Sequence, residues 1–343
     1  MGPPPAVAEV RSAVRRCLWE FAEGDLVLAA CSGGADSLAL AAALAHEGPR
    51  CGVRAGGVTV DHGLQPGSGD RASAVTRVLT GLGLEPVVCL PAAVPPGPGH
   101  GGPEAAARTA RYAALADAAR RTGAVAVLLA HSRDDQAESV LLGLARGSGT
   151  RSLAGMPPRR GPYRRPLLSV SRATLRAACA ALGLRPWEDP QNADPAFARV
   201  RVRHQALPAL EDALGPGIAE ALARSARQLQ ADAEVLEDLA AKQAERVRDS
   251  GGWRADLLAG LPAAIRTRVL RQAAIGAGCP PGALTAGHID ALDALVTSWH
   301  GQRWADLPGG VRGQRQRGRL LFTAGNLSEP AGHRASEGPV GRD

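Results

Sequence analysis

Residues 26–47, LVLAACSGGADSLALAAALAHE, constrain this 343-residue chain more than any other stretch. The apolar run from Leu26 to Cys31 is too short for a core helix and reads as a buried parallel strand, and the Ala/Leu-rich stretch from Ser37 reads as the helix leaving it. Between them stand Ser32, Gly33, Gly34, Ala35, Asp36 and Ser37. Two glycines let the backbone turn tightly and approach a ligand. The unpaired amides of a helix start, with the Ser32 and Ser37 hydroxyls, suit phosphate oxygens. The plainer alternative is an ordinary strand-to-helix turn capped by Asp36 or Ser37. This turn is neither a GxxxxGK[ST] loop nor a GxGxxG fingerprint.

The rest of the first two hundred residues repeats the strand–helix alternation of an α/β domain. A strand through residues 57–60 ends at Asp61 and His62, and polar groups at the carboxyl end of a parallel strand are well placed for a ligand. Asp61 either accepts from an adenosine or caps the next turn. A helix over 68–82 and a strand over 85–90 follow, and the proline- and glycine-rich stretch 91–103 suits neither. It reads as a loop beside the nucleotide or as a surface insertion. The helix over 104–121 places Glu104, Arg108 and Arg111 on one face, which a solvated surface would also explain.

A further strand over 125–130 leads into HSRDDQAES. Asp134 and Asp135 in a first helical turn favour the helix dipole, so capping alone could account for them. It would not call for the preceding His131 or the following Glu138. The i,i+4 pairs Asp134/Glu138 and His131/Asp135 predict polar groups converging on one side and leucines packing on the other. Arg199, Arg201 and Arg203 alternate as on a solvated edge, or face phosphates if a nucleotide site lies nearby.

Composition narrows the partners. The net charge is +7 and Lys242 is the only lysine, so nearly all positive charge is guanidinium, suited to bidentate phosphate contact and to stacking on bases. No apolar run reaches about 18 residues, and the N-terminus has no secretory core, which together predict a cytoplasmic protein with no membrane partner. The six cysteines form no CxxC pair or compact zinc pattern. Beyond residue 207 the pattern is mainly helical: an amphipathic helix over 218–247, helices over 262–275 and 285–298, and short strands over 304–322. The expected organisation is a catalytic domain over 1–206, a helical domain with a small β element over 207–325, and a disordered tail over 326–343. Nothing in the sequence fixes the oligomeric state, a homodimer included.

SGGADS resembles the SGGxDS loop of the ATP pyrophosphatase (PP-loop) superfamily, whose members cleave ATP between its α and β phosphates. HSRDDQAESVLLGLARGSGTRSLAGM resembles the HxxDDQxETxLLxLxRGxGxxGLxGM block of the tRNA(Ile)-lysidine synthase family. Matches continue in RPLL (165–168), EDPQN (188–192) and RVRVR (199–203), and Gln65 stands where the family's VDHGLR stretch has arginine. The resemblance implies an adenine nucleotide alpha hydrolase-like parallel-sheet domain using ATP and magnesium. It also implies ligation of free L-lysine to C2 of the wobble cytidine in a CAU-anticodon isoleucine tRNA. ATP would lie on residues 32–37, Asp61, His62, Arg108 and Arg111. Asp36 would contact magnesium or phosphate, Asp135 would accept the amine proton with Asp134 as competitor, and His131 would orient substrate. Arg199 and Arg201 would join the reacting centre, with Glu138, Arg146, Gly147, Arg165, Asn192 and Arg203 on the substrate. A tRNA thiolase of the same superfamily and a non-enzymatic tRNA-binding protein are the other readings.

Overall fold

The structure, a computed structural model, describes residues 2–61, 63, 67–92, 102–147 and 149–324. The chain divides into two compact units, at residues 231 and 232. This differs from the expected boundary at 206/207 by a helical segment whose residues belong with the first unit. His62, most of the stretch 91–103 and the expected tail at 326–343 lie outside the described residues.

The first unit runs α1 (Pro5–Leu18), β1 (Leu26–Ala30), α2 (Ala35–Glu47), β2 (Arg54–Asp61), α3 (Ser68–Gly81), β3 (Val87–Pro91), α4 (Gly102–Thr122), β4 (Ala126–Leu128) and α5 (Arg133–Ala145). It continues with α6 (Thr150–Leu153), β5 (Arg159–Arg160), β6 (Tyr163–Arg164), α7 (Arg172–Ala181), α8 (Ala198–Arg201), α9 (Leu207–Leu214) and the start of α10 (Ile218–Val247). The sheet order is β3-β2-β1-β4-β6-β5, parallel except for the edge strand β5. Alternation along β1 explains its continuous apolar run. Val27 and Ala29 enter a core with α1, α2 and α7, while Leu26 and Leu28 enter another with Leu115 and Ala118 of α4. A strand covered on both faces has no polar side.

From β1 the chain winds outward through β2 to β3, then returns to β4 on the other side of β1. Strand order therefore reverses between β1 and β4, and the crevice beyond their carboxyl ends is where an open parallel sheet binds its ligand. Residues 32–37 leave β1 there and residues 131–138 leave β4.

In the second unit, α11 (Ala255–Ala259), α12 (Ala263–Gly276) and α13 (Ala286–Thr297) accompany an antiparallel sheet. Its strands are β7 (Arg248–Asp249), β8 (Gly252–Arg254), β9 (Ala305–Leu307), β10 (Val311–Gln316) and β11 (Arg319–Ala324), ordered β7-β8-β11-β10-β9. Leu258, Leu270, Leu292, Leu295 and Leu320 form its core. The β10–β11 hairpin turns through Arg317 and Gly318, both at positive φ, as a two-residue turn matching strand twist requires. Among the described residues no helix is long and apolar enough to cross a membrane.

Candidate active site

The loop after β1 is held open by its own side chains. Ser37 Oγ donates to the Gly34 carbonyl at 2.9 Å and accepts from the Ser32 amide at 3.1 Å. Gly33 sits at φ 87° with the Val75 Cγ2 methyl 2.9 Å from where a Cβ would stand. Both left-handed backbone and lack of space therefore require glycine. Gly33→Ala is expected to destabilise the first unit by about 1–2 kcal/mol. Thermal unfolding checks this, and adding Val75→Ala should restore the steric part alone.

Asp36, in the first turn of α2, faces the start of α5. Burial first, then the nearby Asp135 charge, pushes its carboxyl up to about 6, against the pull of Arg172 and Arg203. Ser132 caps α5: Asp135 Oδ2 accepts from the Ser132 amide at 2.8 Å while the Ser132 hydroxyl faces the Asp135 amide. The other Asp135 oxygen accepts from Arg172 Nη2 at 2.9 Å. Burial opposes ionisation of Asp135, but Arg172 and the Ser132 amide outweigh it and hold the group below the usual carboxylate range.

Glu138 is fully buried and gathers three guanidiniums. Arg203 donates from Nε and Nη2 at 2.7 and 3.2 Å, Arg172 donates at 3.1 Å, and Arg199 Nε lies 3.2 Å away. Arg199 also donates to Ser139 Oγ at 2.9 Å. Arg172 extends toward Asp36, with Nε 3.8 Å from Oδ2. One arginine thus ties the nucleotide loop to the acidic turn of α5.

The expected i,i+4 grouping is corrected in three places. His131 precedes the Ser132 cap, so helical spacing does not govern it. Asp134 turns away to accept from the Arg172 amide at 2.8 Å, capping α7. Asp135 and Glu138, three apart, are the pair that shares Arg172. The RVRVR stretch is no alternating edge either. It is helical from Ala198, continuing through a π-turn over Val202–Ala206, so Arg199 and Arg203 reach Glu138 together. Arg201 points elsewhere and donates to the Pro195 and Ala196 carbonyls.

A second corner surrounds His131. Arg165 is 4% exposed, yet among the described residues it donates only to neutral groups, the Pro157 carbonyl at 2.8 Å and the Tyr112 hydroxyl at 3.2 Å. Arg108 donates to the same hydroxyl at 3.3 Å. Burial lowers His131 to about 3, with Arg165, Arg108 and Arg199 opposing its protonation and Asp135 favouring it, so the imidazole is neutral at physiological pH. Among the described residues its Nδ1 is buried without a partner. A buried guanidinium without a carboxylate beside an unfilled imidazole nitrogen is chemistry suited to an anionic, hydrogen-bonding ligand.

Other expected residues stand apart. Asp61 ends β2 and accepts from the Gly63 amide at 3.0 Å, and Arg111 lies on α4 beside Tyr112. Exposed Arg146 and Gly147 close the far end of α5, about 16 Å along the axis from Asp135. Asn192 is exposed on a short 3-10 turn. The sequence reading missed Arg172, although Ser171 followed by Leu175, Ala178 and Cys179 carries both a cap and a helical apolar period. It also gave Tyr112 no role, although that residue directly follows Arg111 on the helix it predicted.

The PP-loop domain family matches residues 8–210, and the TilS substrate binding domain family matches residues 254–321. A tRNA(Ile)-lysidine synthase from Thermobifida fusca is 58% identical over 325 residues, covering 94% of this chain and 99% of that protein. The chain belongs to the tRNA(Ile)-lysidine synthase family. The family member from Streptomyces coelicolor is 54% identical over 95% of this chain and all of its own. Among solved structures, the U34-tRNA thiolase NcsA from Methanococcus maripaludis, described with its [4Fe-4S] cluster, has a TM-score of 0.55 at 18% identity. It covers 66% of this chain and 80% of its own, a likeness of fold alone. The cysteines of this lysidine synthase family member are free and scattered, with Cys31 and Cys179 buried beside the loop. Among the described residues no three His, Cys, Asp or Glu side chains converge as a metal cage.

Proposed function

We infer that this chain ligates L-lysine to C2 of the wobble cytidine in a CAU-anticodon isoleucine tRNA, consuming ATP and releasing pyrophosphate and AMP. The convergence of the nucleotide loop and the acid–arginine cluster across one switch point, joined by Arg172, carries this reading. It puts a phosphate cradle beside carboxylates that can bind an ammonium.

In the first step the cytidine O2 attacks the α-phosphorus and pyrophosphate leaves. The amide-like carbon is a poor electrophile until its oxygen becomes a phosphate leaving group. Arg108 and Arg165 are placed to meet the developing charge, and His131, being neutral, can donate or accept one hydrogen bond without adding charge. Asp36, buried beside another carboxylate, fits a cation arriving with the phosphates. Magnesium held by it and by phosphate oxygens would neutralise that charge.

In the second step a lysine amine attacks C2 and AMP departs. The amine is protonated in water and must lose a proton first. Once pyrophosphate has left with its cation, the freed Asp36, poised near 6, is a better acceptor than Asp135, which Arg172 and the Ser132 amide hold ionised. Asp135 and Glu138 then keep Arg172 in place. Purified protein supplied with ATP, magnesium, labelled lysine and the isoleucine tRNA transcript is expected to incorporate one lysine per tRNA with equimolar AMP. Absence of label in folded tRNA would refute the assignment. Sulfur transfer with no lysine incorporation would favour the thiolase alternative.

A further inference from the structure

Pyrophosphate carries several negative charges, and the loop Ser32–Ser37 has no lysine or arginine of its own to hold it. The chain's one lysine is Lys242, far from the loop in sequence, and Gln65 occupies the position of the family's arginine. Around the acidic turn Arg172, Arg199 and Arg203 are committed to carboxylates. Arg71 is different. Among the described residues it has no carboxylate partner, and its guanidinium lies 4.2 Å from the centroid of the Trp187 ring.

Both of those residues are anchored to the phosphate loop. The Trp187 amide donates to the Gly33 carbonyl at 2.9 Å, and the Trp187 carbonyl lies 4.0 Å from where a Gly34 Cβ would stand. On α3, Val75 presses on Gly33, and Arg71 lies one helical turn before it on the same face. The two elements bracket the glycines, with the indole and the guanidinium meeting between them. A guanidinium held over an indole face is restrained in position, and its N–H groups remain available for contact with phosphate oxygens.

We propose that Arg71, positioned by Trp187, binds the β- and γ-phosphates of ATP and the pyrophosphate product. The proposal rests on the ATP-dependent reading above. Trp187 is a positioning residue: its ring orients Arg71 while its backbone fixes Gly33.

The test compares binding of magnesium pyrophosphate and of AMP to full-length wild type, Arg71→Ala, Arg71→Lys, Trp187→Phe and Trp187→Ala by calorimetry. Arg71→Ala should weaken pyrophosphate about tenfold or more while changing AMP less than about twofold, because AMP lacks the phosphates concerned. Arg71→Lys should recover only part of the loss. Trp187→Phe should stay near wild type for pyrophosphate, whereas Trp187→Ala should approach Arg71→Ala. In turnover, Arg71→Ala should raise KM for ATP with little change in KM for lysine. Retained AMP binding shows that a variant is folded. Unchanged pyrophosphate affinity in Arg71→Ala, or parallel loss of AMP and pyrophosphate, would overturn the proposal while leaving the ATP reading standing. Wild-type protein that binds neither ligand would overturn both.

Discussion

Asp36→Asn is expected to abolish lysine incorporation while making the protein more stable at neutral pH. The stability half follows from the sign of its shift. A carboxyl raised from 3.8 to about 6 by burial is favoured in its protonated form by the fold, so its contribution is full below pH 4 and lost as pH rises through 6. At pH 7.5 the native state carries a desolvated charge beside Asp135 that asparagine lacks. The gain is on the order of 1–3 kcal/mol by linkage, and thermal unfolding should show it in full at pH 7.5, about half of it at pH 5 and little of it below pH 4. The activity half follows from the same charge, which is the proposed proton acceptor. In the wild type kcat/KM should fall on the acid side with an apparent pKa of about 6. An unperturbed histidine titrates in that range too, but His131 is held near 3 and stays neutral there. His131→Asn should therefore lower the rate and leave the acid limb in place. An acid limb that shifts with His131→Asn instead would remove Asp36 from the role. A stabilised, inactive variant is the usual signature of a residue placed for function at a cost to folding.

Glu138→Ala should be the most destabilising single change in the cluster, by about 3 kcal/mol, lowering the first unit's melting temperature by roughly 6–12 °C. The wild-type arrangement sets Asp36, Asp134, Asp135 and Glu138 against Arg172, Arg199 and Arg203. Removing the fully buried member takes away the carboxylate shared by three guanidiniums and leaves Asp135 as the acid beside Arg172 and Arg203. Arg199 and Arg203 keep partial solvent contact, which limits the loss. Glu138→Gln keeps the shape and one acceptor and should cost less than half as much. In a double-mutant cycle Glu138→Ala with Arg203→Met should show a coupling of at least about 1 kcal/mol, since the arginine's penalty exists only without its partner. Additive effects would mean that the ion pairs contribute little and that Glu138 is held by packing. Because α5, α7 and α8 all reach this carboxylate, its loss should also reduce turnover at saturating ATP.

The sequence by itself determined the local elements and the chemistry of the loop. The apolar run 26–31, two glycines and the Ala/Leu helix leave few alternatives to a parallel strand and a phosphate turn, because short-range sterics and period decide them. It also determined the family, through the order of side chains from His131 to Met156. Only the tertiary structure decided which of those polar groups meet. Asp134 and Asp135 are adjacent in sequence, yet one caps α7 and the other caps its own helix and holds Arg172. Arg201 stands between two arginines that share Glu138 and makes no contact with it, because helical turns separate neighbours that a written sequence sets side by side. Arg172 and Arg71 look like ordinary surface charges along the chain. Arg172 comes beside Asp36, and Arg71 onto the ring of Trp187, which adjoins Gly33, because the crossovers bring α7 and α3 to the same face of the sheet. The SGGADS loop could therefore be identified from the chain alone, whereas the groups that set its charge and its proton affinity are supplied by long-range packing.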